Sequence, residues 1–275
     1  MTCLKKIGVA ALLSVSVLSA TANASTIRSG FNAMTLSAND DGSTGEVSTG
    51  FEINFFGETF NTLFVNNNGN VTFDSRLNTF TPFDLTSTGR QIIAPFFADV
   101  DTNNGIGEEV TYGTGTVDGK NAFGVNWIDV NYYDNANDNG ILNSFQLVLI
   151  DRSDIFVGDF DIEFNYGDIL WETGEASGSN LLGLGGDSAR VGYSNGTGEA
   201  GTLLELEGSA VNGAFINGGS NALNTGSNIG EAGRYVFSAR SGNISNPPVN
   251  ASAPSSVALL GLALFALGMR RRMTK

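Results

Sequence analysis

The stretch DFDIEFNY, residues 159–166, alternates polar and apolar side chains without a break. In an extended chain its four apolar residues fall on one face, and the other face carries three acids, Asp159, Asp161 and Glu163. Period-two alternation of this kind is typical of a β-strand with one buried face. We therefore expect a strand that packs its apolar face into a core and leaves its acidic face in water.

Comparable short runs recur along the chain, separated by segments rich in asparagine and in the 36 glycines, both of which favour turns. The other predicted strands are 51–56, 63–65, 70–73, 92–97, 110–112, 122–133, 145–150, 190–193, 203–206 and 235–239. Helix signals are few. The pattern predicts an all-β fold, a single antiparallel β-sandwich-like domain with long Gly/Asn-rich loops.

Two positions predict irregular strands. The alternation in 122–133 slips after Ile128, so Asp129 is expected to mark a β-bulge, while Trp127 alternates with core residues and is expected to be buried. The apolar run 92–97 contains Pro95, which cannot donate a ladder hydrogen bond, so we expect a bulge or a sheet edge there.

The N-terminus has the pattern of a secretory signal peptide. Lys5 and Lys6 precede an apolar run, and Ala22-Asn23-Ala24 supplies the small residues that signal peptidase requires, so cleavage is predicted after Ala24. An uncleaved N-terminal anchor is the alternative. The one cysteine, Cys3, would leave with the signal peptide, so the mature chain is expected to have neither disulfide nor thiol chemistry.

The C-terminus has the pattern of a sorting segment. The apolar run 257–269 follows Pro254 and ends at Arg270, Arg271 and Arg272, which resist translocation and fix the cytoplasmic end. Thirteen residues give a helix of about 20 Å against a hydrocarbon core of about 30 Å, which is short for a stable span. A segment that is removed after export and a permanent membrane anchor both remain open.

The charge balance limits the classes of partner. The 14 basic residues include six in the two terminal segments, which leaves eight basic against 28 acidic residues, or −20, between them. Such a chain repels nucleic acid, so no nucleic-acid partner is expected, and it favours divalent cations. Because the sequence has no histidine, it excludes Ser-His-Asp catalysis and the usual zinc sites.

The remaining chemistry rests on carboxylates and tryptophans. Asp99, Asp101 and Asn103 have the spacing with which a calcium loop begins, without its later glycine and glutamate, so a looser calcium site, with help from Glu108 or Glu109, competes with simple capping of a turn. The segment 134–140 poses the same choice between calcium and a hairpin loop. No other cofactor is expected.

Two further readings concern sugars. Trp171 follows a predicted strand end and is a candidate platform for carbohydrate. The acids Asp159, Asp161 and Glu163 could in principle serve a glycoside hydrolase, although such a ladder is more often a solvated face.

An ordered series of motifs resembles the nidogen-like (NIDO) domain family. The motifs are FFG (55–57), LFVNNNG (63–69), VTF (71–73), IAPFFADVD (93–101), FGVNW (123–127), NSFQLVL (143–149), FNYGDI (164–169) with Trp171, ARVGY (189–193) and GRYVF (233–237). The resemblance implies cell-matrix adhesion and no enzymatic activity.

The tail resembles the PEP-CTERM sorting signals of Gram-negative bacteria, as a variant that reads SAPSS at 252–256. That resemblance implies an exosortase-type enzyme and delivery to the cell surface or the exopolysaccharide matrix of a biofilm. The predicted organisation is a signal peptide (1–24), a lead segment (25–50), the nidogen-like domain (51–240), a linker (241–254) and a C-terminal hydrophobic sorting helix (255–275). The expected partners are extracellular polysaccharide or matrix proteins, the sorting enzyme and, at least transiently, the membrane.

Overall fold

A computed structural model describes residues 26–103, 105–134 and 140–245. In these ranges the backbone forms fourteen strands and one 3-10 turn, Glu175–Ser177, which confirms the all-β fold class. The strands are β1 (Met34–Leu36), β2 (Val47–Phe55), β3 (Glu58–Asn66), β4 (Asn70–Thr72), β5 (Gln91–Phe97), β6 (Val100–Asp101), β7 (Val110–Val117), β8 (Lys120–Tyr132), β9 (Asn143–Asp151), β10 (Phe160–Tyr166), β11 (Arg190–Asn195), β12 (Leu203–Glu205), β13 (Arg234–Arg240) and β14 (Asn243–Ser245).

The strands form two antiparallel sheets. The larger sheet has the order β1-β7-β8-β9-β10-β13-β14, with β6 also paired to β8, and the smaller has the order β12-β11-β5-β4-β3-β2. Each predicted strand has a counterpart in these sheets. The tight hairpin between β7 and β8 turns at Asp118-Gly119, both with positive φ, which is the Asp-Gly sequence that such turns favour.

One hydrophobic core lies between the sheets, and alternate residues of both supply it. Trp127 on β8 is fully buried, as expected, and its ring stacks on Phe145 of β9 with centroids 5.2 Å apart. Its indole N–H donates to the carbonyl oxygen of Asn67 at 2.9 Å, so the one polar atom of the ring is satisfied. The core therefore bonds directly to the turn that joins β3 and β4.

Both predicted irregularities occur. The register of β8 against β9 shifts between Trp127 and Val130, and Asp129 has φ +52°, which is a bulge. Pro95 lies where the register of β5 against β11 shifts, so the missing N–H falls in a bulge. However, β5 is a central strand between β4 and β11, not a sheet edge.

The flanks of the predicted domain also carry strands. Residues 34–36, in the predicted lead segment, pair with β7 at the edge of the larger sheet, and β2 begins at Val47. At the other end, Asn243–Ser245 pairs with β13 inside the range predicted as linker. Neither pairing was predicted, because strands of three residues are too short to show an alternation.

The signal peptide (1–24), most of the linker and the sorting helix (255–275) lie outside the described residues. Within the ranges that the structure describes, no helix is long and apolar enough to cross a membrane.

Candidate functional site

Three carboxylates from two distant parts of the chain meet beside the turn that leads from β5 to β6. Asp40 and Asp41 lie in the loop between β1 and β2, and Asp99 lies between the end of β5 and the start of β6. Each offers one carboxylate oxygen, and the three oxygens lie within 4.8 Å of one another. We call these three residues the acidic cluster.

A buried turn of asparagines, between β3 and β4, holds the cluster in place. The side-chain amide of Asn67 donates to the carbonyl oxygens of Asp40 and Val100, which ties the β1–β2 loop to β6. Asn68 donates to Asp41 Oδ1 at 2.8 Å and accepts from the N–H of Val100 at 2.9 Å. Because these buried amides hydrogen-bond through both their N–H and their oxygen atoms, they fix the backbone of Asp40 and the carboxylate of Asp41 relative to β6.

The turn requires Gly69 for two reasons. Its φ is +71°, a region that residues with a Cβ rarely adopt, and a Cβ there would overlap the carbonyl oxygen of Phe96 on β5. Gly174 has a related role on another side of the cluster, because a Cβ on it would overlap Asp99 Oδ2. The missing side chain leaves room for the carboxylate.

One oxygen each of Asp40 and Asp99 has no hydrogen-bond partner among the described residues. Asp99 is 2% exposed, and its Oδ2 has no hydrogen-bond partner in the described part of the chain. The same holds for Asp40 Oδ1, although Asp40 as a residue is only half-buried. Buried polar atoms without a partner are uncommon because each one destabilises the folded state, so these two oxygens are typical of a position that binds something further.

The cluster perturbs the protonation of its own members. Burial, together with the negative charges of Asp40, Asp41 and Asp101, raises the pKa of Asp99 to about 8. Burial and the neighbouring Asp41 and Asp101 raise the pKa of Asp40 to about 6. Both pKa shifts have the same origin, because carboxylates that are held close together and away from water favour the protonated form.

The calcium residues predicted from the sequence do not group as their spacing suggested. Asp99 faces Asp40 and Asp41, whereas Asp101 accepts the backbone N–H of Asn103 at 2.7 Å in a local turn. Burial also raises the pKa of Asp101. Asn103 is exposed. Glu109 accepts the backbone N–H of Ala38 at 2.8 Å and is not a member of the acidic cluster.

The expectation of a wet acidic face on residues 159–166 is wrong. Every residue of β10 is buried, and arginines from elsewhere in the chain cover its acids. Arg28 donates to both oxygens of Glu163, at 2.5 and 2.8 Å, and Arg234 lies 3.6 Å from the same group. Asp161 takes the guanidinium groups of Arg152 and Arg240, at 2.8 and 2.5 Å.

The third acid, which immediately precedes β10, also has a partner. Asp159 accepts the backbone N–H of Ser241 at 2.7 Å and is 2% exposed. Carboxylates engaged in this way form a structural network and not a pair of acids facing a cleft, as hydrolysis of a glycoside would require.

The expectation that Trp171 offers a platform for sugars is also wrong, because the side chain is fully buried. Its ring packs edge-on against Phe96 and at a tilt against Tyr132, with centroids 5.7 and 5.5 Å away. Its N–H donates to the carbonyl oxygen of Val130 at 3.1 Å. The residue is a core component of the sandwich.

Asp40 and Asp41 were not predicted as site residues. The only local signal is the run Asn39-Asp40-Asp41-Gly42, which is typical of a turn. Nothing in the sequence relates it to Asp99, which is far along the chain. The other predicted site residues, Ala22, Ala24, Pro254 and Arg270 to Arg272, lie outside the described residues, as do 135–139 of the second candidate loop.

Comparison with known proteins agrees with the architecture. The model of the nidogen-like domain family matches residues 61–241. Human and mouse alpha-tectorin are each 37% identical to this chain over 182 residues, and chicken alpha-tectorin is 36% identical over 181 residues. Each match covers 57% of this chain and 8% of the tectorin, so it concerns one segment of a much longer protein. No solved structure matches the chain.

The family match covers most of both sheets, from β3 to β13, together with the asparagine turn and Asp99. The chain therefore belongs to the nidogen-like domain family.

Proposed function

We propose that this protein works outside the cell in cell-matrix adhesion, binding extracellular polysaccharide or matrix proteins through its nidogen-like domain. The observation that carries the proposal is the family match over residues 61–241. Adhesion requires a rigid binding surface and does not require catalytic groups. This suits a sandwich in which arginines pair with the acids of β10. The setting we propose is the surface or biofilm matrix of a Gram-negative bacterium.

A loop at one end of the larger sheet is the contact segment that we favour. Ile155, Phe156 and Val157, in the connection between β9 and β10, are 54%, 62% and 62% exposed. Three consecutive large apolar side chains in water are unusual and typical of an interaction site. We define Ile155, Phe156 and Val157 as the apolar tip.

The apolar tip is an ordered feature. The N–H of Arg152 donates to the carbonyl oxygen of Asp159 at 2.9 Å. The N–H of Asp159 donates to the carbonyl oxygen of Phe156 at 3.0 Å. The N–H of Ile155 bonds the carbonyl oxygen of Arg152 at 2.8 Å. Because the backbone is already fixed, binding at the tip loses little conformational entropy. Among the proposed partners, matrix proteins suit an apolar contact best.

The test compares the full-length protein with two variants in a binding assay on matrix isolated from producing cells. The triple variant I155S/F156S/V157S removes the apolar tip, and L181S/L182S removes another exposed apolar pair, 67% and 58% exposed, as a matched control. We expect at least about a tenfold loss of bound protein for the tip variant and little change for the control, with both melting temperatures near that of the parent. Unchanged binding by the tip variant would refute the tip, and no binding by the parent would refute adhesion.

Two alternative functions, a glycoside hydrolase and a calcium-dependent carbohydrate-binding module, have less support. A glycoside hydrolase built on Asp159, Asp161 and Glu163 is disfavoured, because those carboxylates are engaged by arginines and by Ser241. A calcium-dependent carbohydrate-binding module loses its platform with the burial of Trp171. Its calcium component has a separate basis in the acidic cluster.

We also propose that the C-terminal segment is read by an exosortase-type enzyme, with membrane contact before processing. Mass spectrometry of the C-terminus, on protein from cells and from matrix, tests this proposal. A terminus near Pro254 supports processing, and an intact Lys275 in the membrane fraction supports a permanent anchor.

A further inference from the structure

We propose that the carboxylates of Asp40, Asp41 and Asp99 form a calcium site that fastens the loop between β1 and β2 to the turn between β5 and β6. The three oxygens lie within 4.8 Å of one another, so one cation at their centre would lie within about 2.8 Å of each, close to the 2.3–2.6 Å that is usual for calcium. This inference does not depend on adhesion.

The strongest indication of a bound cation is the buried carboxylate of Asp99. Asp99 is 2% exposed, its Oδ2 has no hydrogen-bond partner among the described residues, and Gly174 leaves it room. Asp40 Oδ1 is unpartnered in the same way. A cation held by Asp40 and Asp99 would compensate two carboxylates that the hydrogen bonds of the described chain leave partly unsatisfied.

No basic side chain in the described ranges forms an ion pair with the cluster. The arginine and lysine ion pairs within the described ranges go to other acids, including Glu163, Asp161 and Glu205, and none involves Asp40, Asp41, Asp99 or Asp101. On β10, by contrast, Asp161 and Glu163 each have a guanidinium partner. Like charges held together away from water require either bound protons or a bound cation.

The chemistry of the donors selects the ion. Oxygen donors alone favour the hard cations calcium, magnesium and manganese over zinc or copper. Magnesium usually keeps most of its water and takes one or two carboxylates, whereas calcium accepts several carboxylates in irregular geometry. Three aspartates offer up to six oxygens, and water can complete a shell of six to eight. The half-buried positions of Asp40 and Asp41 leave the site open to solvent on one side.

The expected consequence is a stronger link between the N-terminal part of the domain and its core. The asparagine turn already ties the two segments through the hydrogen bonds of Asn67 and Asn68. An ion across the same junction would add bonds that the unfolded chain cannot make, because Asp99 is far from Asp40 in sequence.

The experiment measures thermal unfolding and calorimetric titration of the full-length protein in a non-ionic detergent, first in a chelator and then in millimolar calcium chloride. We expect saturable binding of one calcium per chain and a rise in Tm of about 5 °C or more at saturation. An equal Tm in chelator and calcium, without heat of binding, would overturn the proposal. An equal rise with magnesium would overturn the choice of ion.

Two variants separate the site from general charge effects. Asp99→Asn keeps the shape of the side chain, and we expect it to lose the response to calcium while its Tm in chelator equals or exceeds that of the parent. Asp118→Asn, at an exposed turn, is the matched control and should respond like the parent. A full calcium response in Asp99→Asn would refute the assignment. Should that variant not fold, Asp41→Asn, at a half-buried position, carries the same prediction.

Discussion

Arg28 and Glu163 are 135 positions apart in the chain and form a bidentate ion pair, with Arg28 Nε and Nη2 donating to the two carboxylate oxygens at 2.5 and 2.8 Å. The Glu163 side chain is 3% exposed and the Arg28 side chain 26%. Asn165 and Arg234 complete the surroundings of the carboxylate. The pair therefore joins the segment before β1 to the middle of the larger sheet.

Replacing Glu163 by alanine should destabilise the domain by about 3 kcal/mol, because it leaves Arg28 and Arg234 partly buried without their anion. The measurement is urea unfolding at neutral pH. Glu231→Ala is the matched control, since that side chain is 62% exposed and pairs with Arg234 at the surface. Its expected loss is below about 1 kcal/mol. Equal losses for the two variants would mean that the burial of the Arg28 pair contributes nothing.

Replacing Trp171 by alanine should cost about 3–5 kcal/mol of unfolding free energy, because the fully buried indole packs on Phe96 and Tyr132. Leu170→Ala, at the adjacent and 41% exposed position, should cost less than about 1 kcal/mol. Chemical denaturation of both variants checks the prediction. A Trp171→Ala protein as stable as the parent would contradict the buried placement.

Replacing Gly69 by alanine should cost about 3 kcal/mol or more, because it combines a positive φ with an overlap on the carbonyl oxygen of Phe96. Gly119 is the matched control. It also has a positive φ, +77°, but a Cβ there meets no atom within 4 Å, so its replacement should cost only about 1 kcal/mol. The difference in unfolding free energy between the two variants measures the close approach of the asparagine turn to β5.

In chelator, the protein should lose stability as the pH rises from about 4 to about 8. Burial among Asp40, Asp41 and Asp101 raises the pKa of Asp99 to about 8, so the folded state keeps a proton that the unfolded state has released above about pH 4. Stability is thus full below the unfolded pKa and lost as the pH passes through the folded one, by an amount on the order of 5 kcal/mol.

Unfolding free energies of the parent and of Asp99→Asn, measured across this pH range in chelator, give the contribution as a difference. The variant should show a flatter profile. Parallel profiles for the two proteins would show that Asp99 titrates normally in the folded state.

The strands were predictable because their signal is local. Alternation in β10, the slip at Asp129 and the proline of β5 each reflect the environment of neighbouring positions in one strand. The antiparallel all-β class follows from many such segments separated by turn residues. The short strands β1 and β14 were missed because three residues carry no period.

The site depended on contacts that no local pattern contains. The sequence indicated Asp99 as a candidate calcium ligand, but it grouped that residue with Asp101 and Asn103, its neighbours in the chain. The fold instead brings in Asp40 and Asp41. In the same way, alternation located the acids of β10 but could not show that Arg28 and Arg240 would cover them.

The sequence by itself thus determined the all-β class, the positions of the principal strands and the burial of Trp127. The tertiary structure alone decided which charges meet: Glu163 with Arg28, Asp161 with Arg152 and Arg240, and Asp99 with two further aspartates. The physical reason is that side-chain periodicity along a strand records only whether a position is inside or outside. The partner of a buried charge is set by sheet order and loop path, which bring together residues that are far apart in the chain.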